Sequence, residues 1–262
     1  MPGTATLHQV IPIPLRTAAT AQVRAVPRAI PVCSQCALLP LCIPHCGDQV
    51  DARVDTLVGQ RIRVPKGETL VFAGAPFNAL FAIRSGSCKS VIMTLGGQEQ
   101  VAGYHIAGDI VGAEGIHAGH YECTITALED SEFCTLIFER MEALADESRE
   151  FQRSLNALLS REIGRERKVM LMLGTMRAEQ RLASFLLDLA ERYAARGYSS
   201  TEFVLRMTRE EIGCHLGLKL ETVSRTFSKF VEEGIVEVKQ RHIRILDTDA
   251  LKRIVNSQRD CE

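Results

Sequence analysis

The chain has 262 residues, and its 31 Lys and Arg nearly balance 32 Asp and Glu, leaving a formal net charge of -1. Such neutrality excludes a chain-wide basic field for gripping nucleic acid, so a partner of that kind must be read from a local face. No apolar run approaches the roughly 18 residues of a membrane span, and nine cysteines without a signal-like leader favour a reducing cytoplasm over a disulfide framework.

Residues 1–32 are rich in Ala, Val, Thr and Pro with no sustained period, the texture of a flexible leader. The next stretch, Cys33-Ser-Gln-Cys36-Ala-Leu-Leu-Pro-Leu-Cys42-Ile-Pro-His-Cys46, carries four of the nine cysteines. Thiolates suit zinc, copper(I) or iron–sulfur clusters, and close pairs can reach one centre without long-range chain closure. Pro40 and Pro44 predict an extended, turning path. Leu38, Leu39, Leu41 and Ile43 would cover whatever sits inside.

From about Thr56 to Phe138 the chain breaks into strand-length apolar segments punctuated by glycine: 61–64, 69–72, 79–83, 88–93, 123–128 and 133–138. Short strands at this spacing predict an antiparallel sandwich or barrel. Between 148 and 173 the texture turns helical, with Leu155, Leu159, Ile163, Glu166, Met170 and Leu173 at near-heptad steps. A seam this narrow suits a two-fold partner helix. Glu166 stands in it where an apolar residue is expected, and like charges meeting across a dimer would keep association marginal. Gly174 is the expected stop of this helix, and a second amphipathic helix runs from Ala178 to Ala195 with Gly197 as its stop.

Thr208 with Glu211 three residues on is a capping-box start. Ile212 and Leu216 give its helix a buried face, and Gly217 allows a tight turn. A second helix buries Leu220, Val223, Phe227 and Phe230 and turns Glu221, Ser224, Arg225, Ser228 and Lys229 outward. Arg225 suits guanine O6 and N7, Glu221 suits cytosine N4, and Ser224 can bond either way. Segments 235–238 and 243–246 form a hairpin behind it, which completes a winged helix-turn-helix for double-stranded DNA.

The order of parts, together with Cys33-x2-Cys36-x5-Cys42-Ile-Pro, Cys134 within Ser131-Glu-Phe-Cys134-Thr-Leu-Ile-Phe-Glu139, Glu179-Gln-Arg-Leu-Ala-Ser-Phe and Leu220-Glu221-Thr-Val-Ser224-Arg225, resembles the Crp/Fnr superfamily of bacterial transcription regulators over about residues 33–250. Within it, the resemblance is closest to the oxygen-sensing fumarate and nitrate reduction regulators. It implies an α+β chain: an N-terminal antiparallel beta-roll of the cyclic-nucleotide-binding type, a long dimerisation helix and a C-terminal winged helix-turn-helix. The divisions expected are a leader over 1–32, a sensor over 33–147, a dimerisation helix over 148–174 and a DNA-binding domain over 175–262.

The resemblance further implies a [4Fe-4S] cluster on Cys33, Cys36, Cys42 and Cys134, lost in oxygen, and an anaerobic homodimer associating through Leu159, Ile163, Glu166 and Met170. That dimer would read a palindrome of TTGAT-like half-sites through Glu221, Ser224 and Arg225 and contact RNA polymerase. Cys46 competes with Cys134 for the fourth position; Cys134 is preferred because a ligand from the barrel couples the cluster to the helix that follows. Cys88, Cys123, Cys214 and Cys261 are expected to be ordinary thiols.

Three rivals bear on this reading. A cyclic-nucleotide sensor needs a cation in its phosphate-binding turn, where this chain has Glu122-Cys123, so no cyclic nucleotide is expected. A structural zinc could take Cys33, Cys36, Cys42 and either Cys46 or His45. An iron–sulfur enzyme or electron carrier would not need the DNA-reading helix, and no catalytic constellation is present in the sequence.

Overall fold

Glycines in left-handed turns cut the first half of the chain into strands. Gly86, at φ +84°, joins two of them so closely that a Cβ there would stand 2.3 Å from Ser131 Oγ. The computed structural model describes residues 24–25, 33–43, 52–94 and 96–257. Its first part holds β1 (Arg24–Ala25), α1 (Leu39–Cys42), β2 (Val58–Val64), β3 (Thr69–Val71), β4 (Ala79–Ser85), β5 (Ser87–Met93), β6 (Glu99–Ile106), β7 (Ile110–Val111), α2 (Gly115–Ala118), β8 (Thr124–Ala127) and β9 (Ser131–Ile137). The second part holds α3 (Phe138–Glu147), α4 (Arg149–Thr175), α5 (Ala178–Ala194), β10 (Glu202–Val204), α6 (Arg209–Leu216), α7 (Leu220–Glu232), β11 (Val236–Lys239), β12 (His242–Ile245) and α8 (Thr248–Asn256).

The strands form an antiparallel roll of two sheets, ordered β1-β2-β9-β4-β7 and β3-β8-β5-β6. Period-two alternation gives the first sheet two apolar faces. Phe81, Ile83 and Phe133 turn inward to Ile125 and Cys88 of the opposite sheet. Leu80, Ala82 and Leu136 turn outward, under Leu39 and Ile43 of the cysteine loop, Met141 and Leu144 of α3, and Phe151 and Leu158 of α4. A third core joins α5 to α8 and the small β10-β12-β11 sheet, and reaches back to Val101 and Tyr104 of β6.

Four expectations change. Of the leader, only Arg24–Ala25 is described, and it pairs with Ile62 and Arg63 of β2. Pro40 does not forbid helix, because it falls in the first turn of α1, where a proline's missing N–H costs nothing. Gly174 lies inside the last turn of α4; the break comes at Met176 and Arg177, both extended, so only two residues separate α4 from α5. Strand β6 went unread because a bulge opposite Ser90 and Val91 breaks its alternation around Ala102. No helix among the described residues is long and apolar enough to cross a membrane.

Candidate functional site

The cysteine loop is pinned by its backbone. Ser34 donates from both N–H and Oγ to the Asp55 carboxylate at 2.8 Å. The Cys36 N–H bonds the Cys33 carbonyl, and the Cys42 N–H bonds that of Leu38. The loop lies over the outer face of the first sheet, where Cys134 is paired across from Arg61 on one side and Ala82 on the other. Because Phe133 fills the inter-sheet core, its neighbour Cys134 must face the loop.

Cys33, Cys36, Cys42 and Cys134 therefore line one pocket, with Leu38, Leu39, Ile43 and Leu136 as apolar wall and Arg84 at its side. Burial, reinforced by the neighbouring thiols, pushes Cys33 and Cys42 up to about 12. Burial raises Cys134 as well, while Arg61 and Arg84 oppose the rise. Among the described residues, no three His, Cys, Asp or Glu side chains converge on a single metal-ion position. The donor set of four soft thiols and two flanking guanidiniums fits an anionic thiolate-bound iron–sulfur group. His45 and Cys46 lie outside the described residues, as does Cys261. Cys88 and Cys123 are buried, as expected of ordinary thiols, whereas Cys214 is half-buried and hydrogen-bonded.

Two contacts that sequence reading missed carry the loop's position onward. Arg161 of α4 donates to the Leu41 carbonyl at 2.7 Å. Leu41 itself packs against Gly108, where a Cβ would meet its side chain at 3.0 Å. The next residue, Asp109, is 1% exposed and accepts from Arg165 of α4 at 2.8 Å, from Arg196 in the turn after α5 at 2.7 Å and from Arg192 of α5. The Ile106 N–H completes its shell at 2.9 Å. A signal was present: an acid after glycine, set between the strand-like segments Tyr104–Ile106 and Ile110–Val111, marks a turn whose charge must find partners.

Along α4 the seam divides. Leu155 and Leu159 pack partly on the roll's own core, while Ile163, Glu166, Met170 and Leu171 are exposed, Met170 at 73%. At the far end Arg181 of α5 staples three elements. Its guanidinium donates to the carbonyls of Leu173 at 2.8 Å, Met176 at 2.9 Å and Leu216 of α6 at 2.9 Å.

In the reader, Thr208 Oγ1 accepts the Glu211 N–H at 3.1 Å, and Glu211 returns a carboxylate to the Thr208 N–H at 2.7 Å. Gly217 ends α6 at φ +63°. Helix α7 buries Val223, Phe227 and Phe230 as expected, but Leu220 is 45% exposed because it opens the helix beyond the core. Glu221, Ser224 and Arg225 share the exposed face. Lys229, further along, is held by Glu179 of α5 at 2.7 Å. The wing turns at Gln240, φ +57°, between β11 and β12. Helix α6 also docks on the roll: Lys89 meets Glu211 at 2.7 Å, and the Val101 N–H donates to Cys214 Sγ at 3.2 Å.

A beta-roll joined by one long helix to a winged helix-turn-helix defines a DNA-binding transcription regulator. Residues 61–148 match the cyclic nucleotide-binding domain and residues 180–254 the Crp-like helix-turn-helix domain. The chain is 43% identical to the transcriptional regulatory protein btr of Bordetella pertussis, over 86% of this chain and 94% of that protein. It is 38% identical to the transcriptional activator protein anr of Pseudomonas aeruginosa (92% and 98% covered) and to the fumarate and nitrate reduction regulatory protein of Escherichia coli (87% and 92%). In structure it is similar to FixK2 of Bradyrhizobium japonicum, with TM-score 0.69 and 26% identity over 76% of this chain and 98% of that one. The chain belongs to the Crp/Fnr family, whose members are transcription regulators and not enzymes.

Proposed function

We propose that this regulator responds to oxygen through a [4Fe-4S] cluster held by Cys33, Cys36, Cys42 and Cys134. The observation that carries the reading is that three thiols of a loop and one of strand β9 line a single pocket. When bound, the cluster supplies a cross-link between loop and strand that oxygen can oxidise and dismantle. The residues around it do the rest. Arg61 and Arg84 offset negative charge on the thiolates, and Arg161 ties the loop to α4. The working division is a sensor over 33–147, a dimerisation helix over 148–174 and a DNA-binding domain over 175–262.

In this reading two copies pair in the cytoplasm along α4 through Leu159, Ile163, Glu166 and Met170. The dimer places two α7 helices on a palindrome with TTGAT-like half-sites, with Glu221, Ser224 and Arg225 at base edges, and then contacts RNA polymerase. A cyclic nucleotide is not its signal, since Glu122 would repel the phosphate. Protein isolated without air is expected to be brown and iron-loaded, and air should bleach it while the dimer dissociates in sedimentation. Colourless protein carrying zinc would overturn the reading.

Two substitutions test its parts. Arg225→Ala should lower discrimination at one base pair of the half-site by about 1–3 kcal/mol while sparing the others. Equal loss on every sequence would make Arg225 a phosphate contact. Glu166→Leu removes a like-charge pair from the seam and should yield dimers in air by sedimentation; an unchanged monomer places Glu166 outside the interface.

A further inference from the structure

Strand β6 is the outer strand of its sheet, so among the described residues the backbone groups along one side of it have no strand to pair with. Helix α6 takes that place. The Val101 N–H donates to Cys214 Sγ at 3.2 Å, the thiol donates to the Glu99 carbonyl at 3.1 Å, and His215 Nδ1 donates to the Val101 carbonyl at 3.1 Å. Burial holds His215 below the usual histidine range, so the ring is neutral and its single proton sits on the nitrogen that meets the carbonyl. Gln100 gives a side-chain N–H to the Cys214 carbonyl, and Lys89 of β5 meets Glu211 at 2.7 Å.

Glu211, Cys214 and His215 lie three and four residues apart and so share one face of α6, while Ile212 and Leu216 are buried on another. Apolar contact alone resists separation but not rotation, because the hydrophobic effect has no direction. Five hydrogen bonds aimed at particular backbone and side-chain atoms do fix an orientation. Glu211 sharpens this, since one of its carboxylate oxygens takes Lys89 and the other caps the start of α6 at the Thr208 N–H. The reading face stays clear, with Glu221, Ser224 and Arg225 of α7 exposed. The contact with β6 therefore leaves the recognition helix uncovered and governs how the helix-turn-helix is turned.

We propose, resting on the α4 dimer and palindrome inferred for this chain, that Lys89, Gln100, Cys214 and His215 are positioning residues that set the separation between the two half-sites the dimer accepts. In a two-fold dimer that separation is dictated by where the two recognition helices stand about the axis. Arg181 and the Asp109 clasp hold α5. The β6 contact holds α6, the helix that crosses the phosphate backbone in a helix-turn-helix. Selectivity for spacing then comes from residues of the roll that touch no base.

The test uses the full chain, isolated without air, and duplexes bearing two TTGAT half-sites in inverted repeat, their separation stepped one base pair at a time. Fluorescence anisotropy should show the unaltered chain preferring one separation over its neighbours by at least about 10-fold. The Lys89→Met, Gln100→Leu pair, both on the roll and outside the thiol pocket, should reduce that preference to about 3-fold or less, with circular dichroism, iron content and sedimentation unchanged. Lys89→Arg should keep it. His215→Phe, which retains a ring but loses the bond to the Val101 carbonyl, should act in the same direction as the pair. Alkylation of Cys214 by N-ethylmaleimide, mapped by mass spectrometry, should quicken in the pair by at least about 10-fold as α6 leaves β6. An intact spacing preference in the pair would overturn the proposal whether or not Cys214 has become reactive, and tighter binding at the preferred separation would make the contact a brake on DNA binding instead of a guide. The unaltered chain alone reports on the half-sites and the variants alone on the contact, so the two readings fail separately.

Discussion

Cys134→Ala is expected to abolish sequence-specific DNA binding by protein prepared without oxygen, and Cys46→Ala to leave it intact. The loop brings three thiols to the pocket, and only β9 brings the fourth among the described residues. Losing a ligand should cost more than the roughly 10- to 100-fold that a lost outer-shell partner costs a metal site. The substitution should not unfold the roll, because Phe133 and Leu136 keep β9 anchored on its two faces. Iron content, visible absorption and binding to a TTGAT-containing duplex are the readouts, with circular dichroism as the control for folding. Normal iron in Cys134→Ala, with iron lost in Cys46→Ala, would mean that the loop fills its own site and that β9 contributes only packing.

Asp109→Ala is expected to lower the stability of the chain by about 3–5 kcal/mol in urea titration, the cost of leaving buried charge without its partner. Three guanidiniums, from Arg165, Arg192 and Arg196, lose their common acceptor at once. Burial opposes the Asp109 charge, yet those arginines hold its carboxyl well below the usual carboxylate range. A depressed folded value contributes stability above the unfolded value of about 3.9, lost only as pH falls below it. The clasp is thus fully charged at any neutral pH. Since Arg192 lies in the last turn of α5 and Arg196 in the turn that follows it, the same variant should expose the junction at Met176–Arg177 to limited proteolysis. Unchanged stability and cleavage would reduce the cluster to a surface ornament.

Much of this was legible in the sequence because local chemistry and tertiary need agreed. The Thr208–Glu211 capping box, the Gly217 turn and the Val223, Phe227, Phe230 stripe each have one structural meaning, and each is found. The cysteine spacing grouped three thiols, whereas Cys134 came from the family resemblance and from no local pattern; the structure lines all four along one pocket. What escaped lacked periodicity. Strand β6 hides behind its bulge, and the short turn of α1 tolerates a proline that reads as a breaker. The Asp109 clasp joins residues 56 to 87 positions apart, and nothing local in any of the three arginines announces it. The Arg161 bond to Leu41 is likewise a contact between a side chain and a distant carbonyl.

The Arg181 staple gives the long helix a mechanical meaning. With the end of α4 fixed to α5 and α6 through three carbonyls, the reader travels with the tip of α4. Its 27 residues make a lever of about 40 Å at ~1.5 Å per residue. A tilt of about 5° at its root swings the tip by about 3.5 Å, close to the ~3.4 Å advance between successive nucleotides of a DNA strand. A change at the cysteine loop too small to alter any fold could therefore move a recognition helix by one base pair, converting chemistry at one end of the molecule into a mismatch of register at the other.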